Sequence, residues 1–351
     1  MNVPTTDSFM YQTMHRQPAD IERLVTTEWA QAEEAAALLG PVARITLTGI
    51  GTSYHAALAG SWILRAAGYD ARAVSSFDFS TYPQHFPVSS SDAVIVMAHT
   101  GVKSYSKHAL DRAVAAGATV LSVGSQSADH PGSQLVLRTV EREKSAAYTA
   151  SHLAAMTVLA QVAASTHAHG TAGFRETLTS MPGMIGEILG REGDLADVAG
   201  YAVDHRVYAT GAGPNEATAL EFVIKAREAA YGQVDALAAE QFLHGPIVAV
   251  NAGDLAIVVD VPGASGERVA EITSVLEGMG MKLLVVGQPI IAIEEATTFS
   301  IPVVPEMLSP LLTVVPMQML AYTMAALKGI NPDTFRRDDE IYKAAFARLT
   351  L

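Results

Sequence analysis

The sequence has no cysteine, and that single absence removes disulfides, thiolate zinc sites, dithiol redox pairs and cysteine nucleophiles. Basic residues are scarce as well. Lys and Arg number 23 against 36 Asp and Glu, a formal net charge of -13, so no basic field exists to hold a nucleic acid. One phosphate is a different matter, because a helix N-terminus and a few hydroxyls bind it without overall basicity. Aromatics are 7% and charged residues 17% of the chain, while 49% of its 351 residues are hydrophobic, which excludes a disordered polymer and supplies a large core. Long unbroken apolar runs are missing too. Asp7, His15, Arg16, Asp20 and Glu22 interrupt the first thirty residues, so no signal peptide is read there. The apolar window from Leu308 to Leu327 contains Pro310, Pro316, Gln318 and Tyr322 and reads as a buried element rather than a membrane span. A cytoplasmic protein without membrane or nucleic-acid partners is expected. The eleven histidines are scattered and no HExxH occurs, so neither a metal nor another cofactor is expected.

What is present is alternation. Short β-rich runs (43–50, 92–98, 118–124, 134–140, 206–212, 255–261 and 282–288) are separated by alanine-rich helical stretches, two of them closed by a glycine suited to a left-handed C-cap. That order predicts an α/β fold with parallel sheets flanked by helices. Arg44–Gly51 reads RITLTGIG and Arg206–Gly213 reads RVYATGAG, so a strand ending in Thr-Gly-x-Gly and entering a helix occurs twice. The expected organisation is two tandem domains: N-terminal helices plus the first domain over 1–169, a helical connector over 170–204, and the second domain with a C-terminal tail over 205–351.

Three groups of residues are candidates for chemistry. Gly51, Thr52 and Ser53 sit at a strand end before a helix, either as a plain tight turn capped by Ser53 or as an anion cradle of backbone N–H groups and hydroxyls. The third glycine of a dinucleotide fingerprint is replaced by Tyr54. A second turn, Ala98 to Ser104, follows the next strand, and two such turns would face one crevice. Glu221, Lys225 and Glu228 recur at i, i+4 and i+7 on an otherwise apolar helix, reading as a salt-bridged stripe or as an acid–base set. His244 lies sixteen residues beyond Glu228, beside Gly245-Pro246, and is either a satisfied histidine or the partner of a carboxylate.

Taken together these residues resemble the sugar isomerase (SIS) fold, and in particular the isomerase half of the glutamine:fructose-6-phosphate amidotransferase family. The carrying motifs are Met14-x-x-Gln17-Pro18, Gly51-Thr-Ser-Tyr-His55, Thr100-Gly101, Ser145 within Glu143-Lys-Ser-Ala, and Glu221-x-x-x-Lys-x-x-Glu-x-x-Tyr231 followed by Ala238-Ala-Glu-x-x-x-His-Gly-Pro246. The resemblance implies two SIS domains without a glutaminase domain, and a phosphorylated sugar as the small-molecule partner. It implies a phosphate and sugar site at Thr52, Ser53, Thr100 and Ser145, to which this chain's own turns add Gly51, His99, Lys103 and Ser104 as candidates. Glu228 would move the proton between C1 and C2, with Lys225 beside the sugar. His244 would open the sugar ring from the other subunit of a homodimer. Two departures stand out. Where the family carries Ser-x-Ser-Gly-x-Thr, this chain has Ala98, His99, Thr100, Gly101, Val102 and Lys103, so Lys103 and Ser104 replace two hydroxyls or receive a different acidic group. In the rewritten tail, Lys343 is the nearest counterpart of the family's Schiff-base lysine, or a surface lysine. The implied activity is aldose–ketose isomerisation or amino-sugar-phosphate deamination. A sugar-amine deglycase or a non-catalytic sugar-phosphate-binding module are the alternatives.

Overall fold

The computed structural model describes residues 7–291 and 293–349. Two compact units are present, one gathering Arg16–Pro182 with the segment from Thr334 onward, the other gathering Gly183–Asp333 with the stretch up to His15. In chain order the first part comprises α1 (Phe9–Thr27), α2 (Trp29–Leu39), β1 (Arg44–Gly49), α3 (Thr52–Ala66), β2 (Ala71–Ser75) and α4 (Ser76–Thr81). It continues with β3 (Asp92–Met97), α5 (Ser104–Ala115), β4 (Thr119–Gly124), β5 (Leu135–Arg138) and α6 (Ala150–Ser165). Next come α7 (Phe174–Leu189), α8 (Ala196–Asp204), β6 (Val207–Gly211), α9 (Glu216–Ala230), β7 (Val234–Ala238) and α10 (Ala239–Leu243). The chain finishes with β8 (Leu255–Asp260), α11 (Gly266–Gly278), β9 (Lys282–Gly287), β10 (Thr297–Ser300), α12 (Pro310–Leu327) and α13 (Glu340–Phe346).

Each unit holds one five-stranded parallel sheet, ordered β2-β1-β3-β4-β5 in the first and β10-β9-β8-β6-β7 in the second. The central strands β3 and β8 are buried at every residue, as a sheet covered on both faces requires. In the first unit Val94 and Val96 pack on Ala109 and Leu110 of α5, while α6 packs against α2 and α3. In the second, Val258 and Leu283 pack on Val269, Ile272 and Leu276 of α11, while α12 lies against α8 and α9. Gly68 and Gly117, just past α3 and α5, have φ of +90° and +71°, a conformation that glycine adopts without a Cβ clash. The segment Glu306–Leu327 is long and apolar enough to cross a membrane, but 83% of its apolar 18-residue window is buried in the protein, so it serves as a core helix.

All seven expected strands form. Three more, β2, β7 and β10, had no signature in the sequence, because they are short, lie at sheet edges and are largely part-exposed, which leaves them no apolar run. The repeat is visible in the pairing register. Thr48 opposes Val96 in the first sheet, and Thr210 opposes Val258 in the second, so both partners of the second pair lie 162 residues after those of the first.

Candidate functional site

In the first unit the chain leaves β1 and β3 toward opposite sides of the sheet, which opens a crevice at their carboxyl ends. The turn after β1 is built around glycine. A Cβ on Gly49 would lie 2.6 Å from the Ser53 backbone, and Gly51 has φ +58°, so α3 starts hard against the strand end. Thr48 Oγ1 donates to Ser76 Oγ at 2.9 Å and ties that end to α4. In the turn after β3, Gly101 has φ +92° and a Cβ there would meet the Asp129 carbonyl at 3.1 Å. Lys103 then caps α5: its backbone N–H donates to Ser106 Oγ at 2.8 Å and its carbonyl accepts from the same hydroxyl at 2.7 Å. The Lys103 side chain is exposed, with no carboxylate within ion-pairing distance among the described residues.

Two cavities lie here. The outer one, open to solvent, is lined by Ser53, His99, Thr100, Lys103, Ser106 and Tyr148, with Ile50 at its rim. The inner one, smaller, adds Thr52, Thr139, Ser151 and His152, and shares Ser53, His99 and Tyr148 with the outer. Gly51 shapes the first turn, and Ser104 opens α5 without lining either cavity. Ser145 also lies off both linings: it is 2% exposed, and its hydroxyl accepts from the Ala147 N–H at 3.2 Å. Tyr148, Ser151 and His152 were not legible as site residues. They come from α6 and the loop before it, and His152 Nδ1 donates to the Thr52 carbonyl at 3.3 Å across one hundred residues of sequence.

His99 stands between the cavities. Burial pushes its pKa down to about 4, with Arg142 and Arg16 adding to the effect, so it is neutral at neutral pH. Its Nε2 accepts a long contact from the Glu143 N–H at 3.4 Å, which places the ring proton on Nδ1. That nitrogen is buried without a partner among the described residues, and it offers a donor to any acceptor that enters. Glu143 itself is buried and accepts from the N–H groups of Ser151 at 2.6 Å and Thr149 at 3.1 Å, so its carboxylate caps α6.

The second unit also turns a glutamate onto a helix start. Glu306 faces the start of α11, where Oε2 accepts from the Ala264 N–H at 3.0 Å and Oε1 from Ser265 Oγ at 3.5 Å. A Cβ on Gly263 would come within 2.3 Å of that carboxyl group. Nearby, Asp260 is 1% exposed at the end of β8, and burial raises its pKa to about 6.

The carboxylates of α9 form the other feature of this unit. Lys225 is 1% exposed, with Nζ 2.6 Å from Glu228 Oε2 and 3.5 Å from Glu221 Oε1. Glu221 is fully buried, whereas the Glu228 side chain is 28% exposed, so of the two carboxylates only Glu228 reaches solvent. The helix ends at Tyr231, a non-glycine residue with φ +50°. His244 follows α10, before Gly245 at φ +119°, and is 71% exposed; its Nε2 lies 3.0 Å from Glu240 Oε1. Arg268 of α11 grips the same carboxylate twice, Nε to Oε2 at 2.9 Å and Nη2 to Oε1 at 3.0 Å, and donates from Nη1 to Glu271 at 2.8 Å. Lys343, on α13, is exposed and lies 3.5 Å from Glu340. Among the described residues no group of three or more His, Asp and Glu could hold a metal ion.

Two parallel α/β units, each with glycine-built turns at the carboxyl ends of its central strands, define the class. The SIS domain matches residues 38–165 and 201–328, and the chain belongs to the SIS-domain family. Among curated relatives it is 26% identical over 341 residues to glutamine–fructose-6-phosphate aminotransferase (isomerizing) of Pyrococcus horikoshii, covering 93% of this chain and 56% of that protein. The chain thus spans little more than half the length of the curated relatives it matches. Among solved structures, the C-terminal domain of glucosamine-fructose-6-phosphate aminotransferase from Francisella tularensis superposes with a TM-score of 0.84 at 16% identity, covering 93% of this chain and 98% of that one. Glucosamine-6-phosphate deaminase from Thermotoga maritima gives 0.76 at 20% identity, with 93% and 97% covered. At these identities the two structures share its fold.

Proposed function

We propose that the chain is a cytoplasmic enzyme acting on a phosphorylated sugar, either an aldose–ketose isomerase or a deaminase of glucosamine-6-phosphate type. The observation that carries this reading is Glu228: a carboxylate on α9, paired to a buried lysine and still open to solvent. In isomerisation such a carboxylate takes the C2 proton, electrons move to give an enediol, and the proton returns to C1. In deamination the same transfer turns the C2 amine into an imine, and water adds to release ammonia and the ketose. Ring opening comes first and falls to His244. Incubating the protein with a panel of amino-sugar and keto-sugar 6-phosphates, and following ammonia and ketose, tests the reading. If no member of the panel turns over while phosphorylated sugars still bind, the chain is a sugar-phosphate-binding module, the reading that the altered second turn favours.

The phosphate falls to the first unit's cradle, where Lys103 brings the charge and His99 and the hydroxyls bring donors. Lys103→Ala is expected to weaken a phosphorylated sugar by roughly 1 to 3 kcal/mol and to leave its unphosphorylated counterpart unchanged, as calorimetric titration of both ligands will show. Equal weakening of the two would remove Lys103 from the site. The active species in this reading is a homodimer whose sites draw on both subunits. Mixing Glu228→Gln and His244→Ala chains under exchange conditions should restore part of the activity, and no recovery would place the site within one chain.

A further inference from the structure

His244 does not stand alone. Glu240 lies one helical turn before it on α10, and Arg268 reaches Glu240 from α11, 28 residues further along the chain. Arg268 uses three of its N–H groups here, two on Glu240 and one on Glu271, so Glu240 is held by a planar fork that is itself anchored at its far side. The guanidinium first, and then the histidine, hold the Glu240 carboxyl down to a pKa of about 2, so it is ionised throughout the neutral range. An ionised carboxylate has acceptors only. At 3.0 Å the ring nitrogen facing it must therefore carry the hydrogen. A neutral imidazole has a single N–H, and the Glu240 contact commits it to Nε2.

We propose that Glu240, clamped by Arg268, is a positioning residue that fixes His244 as the Nε2–H tautomer and leaves Nδ1 as the basic nitrogen that meets the sugar. This rests on the reading of His244 as the ring-opening acid and base. In that step Nδ1 takes the proton of the anomeric hydroxyl, the bond from C1 to the ring oxygen breaks as the carbonyl forms, and the imidazolium returns the proton to the ring oxygen. No other reagent is consumed. The wrong tautomer would present an N–H to the hydroxyl it has to deprotonate, and the step would stall until the ring proton moved. The four side chains are between 49% and 71% exposed, so a lone ion pair here would count for little, but a bidentate pair within a four-membered network is the arrangement in which surface charges hold geometry.

The test has a readout that needs no substrate. Long-range proton–nitrogen NMR spectra of the full chain labelled at histidine, with His244 assigned by the peaks lost in His244→Asn, report which ring nitrogen is protonated above the titration range. The wild type should show a protonated Nε2 and an unprotonated Nδ1. Glu240→Ala should mix the two tautomers, with Arg268→Met moving in the same direction, and kcat should fall roughly 10- to 100-fold at nearly constant KM, as when an outer partner of a catalytic histidine is lost. Should Glu240→Ala fail to fold, Glu240→Gln keeps the shape, and its amide, both donor and acceptor, still relaxes the tautomer. A wild-type His244 protonated on Nδ1, a tautomer that Glu240 substitutions leave untouched, or a mixed tautomer with unchanged kcat would each overturn the proposal. A fully active His244→Ala chain would overturn the catalytic reading beneath it, and the role given to Glu240 with it, even where the spectra come out as expected.

Discussion

Glu228→Gln is expected to lower turnover on a phosphorylated sugar by roughly 10²- to 10⁴-fold while leaving its affinity nearly unchanged. The glutamine keeps the length and a hydrogen-bonding oxygen for Lys225, so the helix need not repack; what disappears is the charge beside the buried ammonium and, with it, the capacity to take and return a proton. The buried Lys225 ammonium loses its nearer anion but keeps Glu221 at 3.5 Å, so its charge stays compensated. Steady-state kinetics on the best substrate of the panel, together with equilibrium binding of a non-reacting phosphorylated analogue, separate the two effects. A variant that turns over like the wild type would show that the proton moves through another group.

Lys225→Met should act on the fold as well as on the reaction, with a loss of about 3 to 5 kcal/mol in stability. The ammonium is buried between two carboxylates, and Glu221, fully buried on the face of α9 one turn earlier, would lose its cation where water cannot replace it. Methionine fills the volume of the lysine stem, so packing is nearly conserved and the change isolates the charge. Urea unfolding of the single variant, of Glu221→Leu and of the double variant gives the cycle. The double variant should recover most of the loss, because replacing a buried pair by apolar groups is far cheaper than removing one member of it. A single variant as stable as the wild type would mean that Glu221 is satisfied by other groups.

The sheet-forming strands were legible because parallel strands buried on both faces are written as unbroken apolar runs, and β3 and β8 are of that kind. Of the four edge strands only β5 carries an apolar run; β7, for instance, presents Asp235 to solvent and buries only Val234 fully. Local spacing likewise announced the Glu221, Lys225 and Glu228 stripe, since i, i+4 and i+7 fix one helix face whatever the tertiary structure does. The cradle was only half legible. Ser53, Thr100 and Lys103 follow strand ends and carry a local signal, whereas Tyr148 and His152 join them only because α6 packs against α3, an event that no short window of sequence encodes. The Glu240 and Arg268 clamp was silent for the same reason, because its two halves come from separate helices.

The contact between Gly263 and Glu306 gives a single hydrogen atom an unusual amount of control. The first methyl group added at 263 would fall on the carboxyl carbon of Glu306, and since that carboxyl is the far end of a flexible side chain, it is the side chain that would yield. The amide of Ala264 and the start of α11 would then face solvent without their internal anion. Residue 263 therefore governs whether α11 begins on an internal anion, because a side chain there and the Glu306 carboxylate compete for the same space.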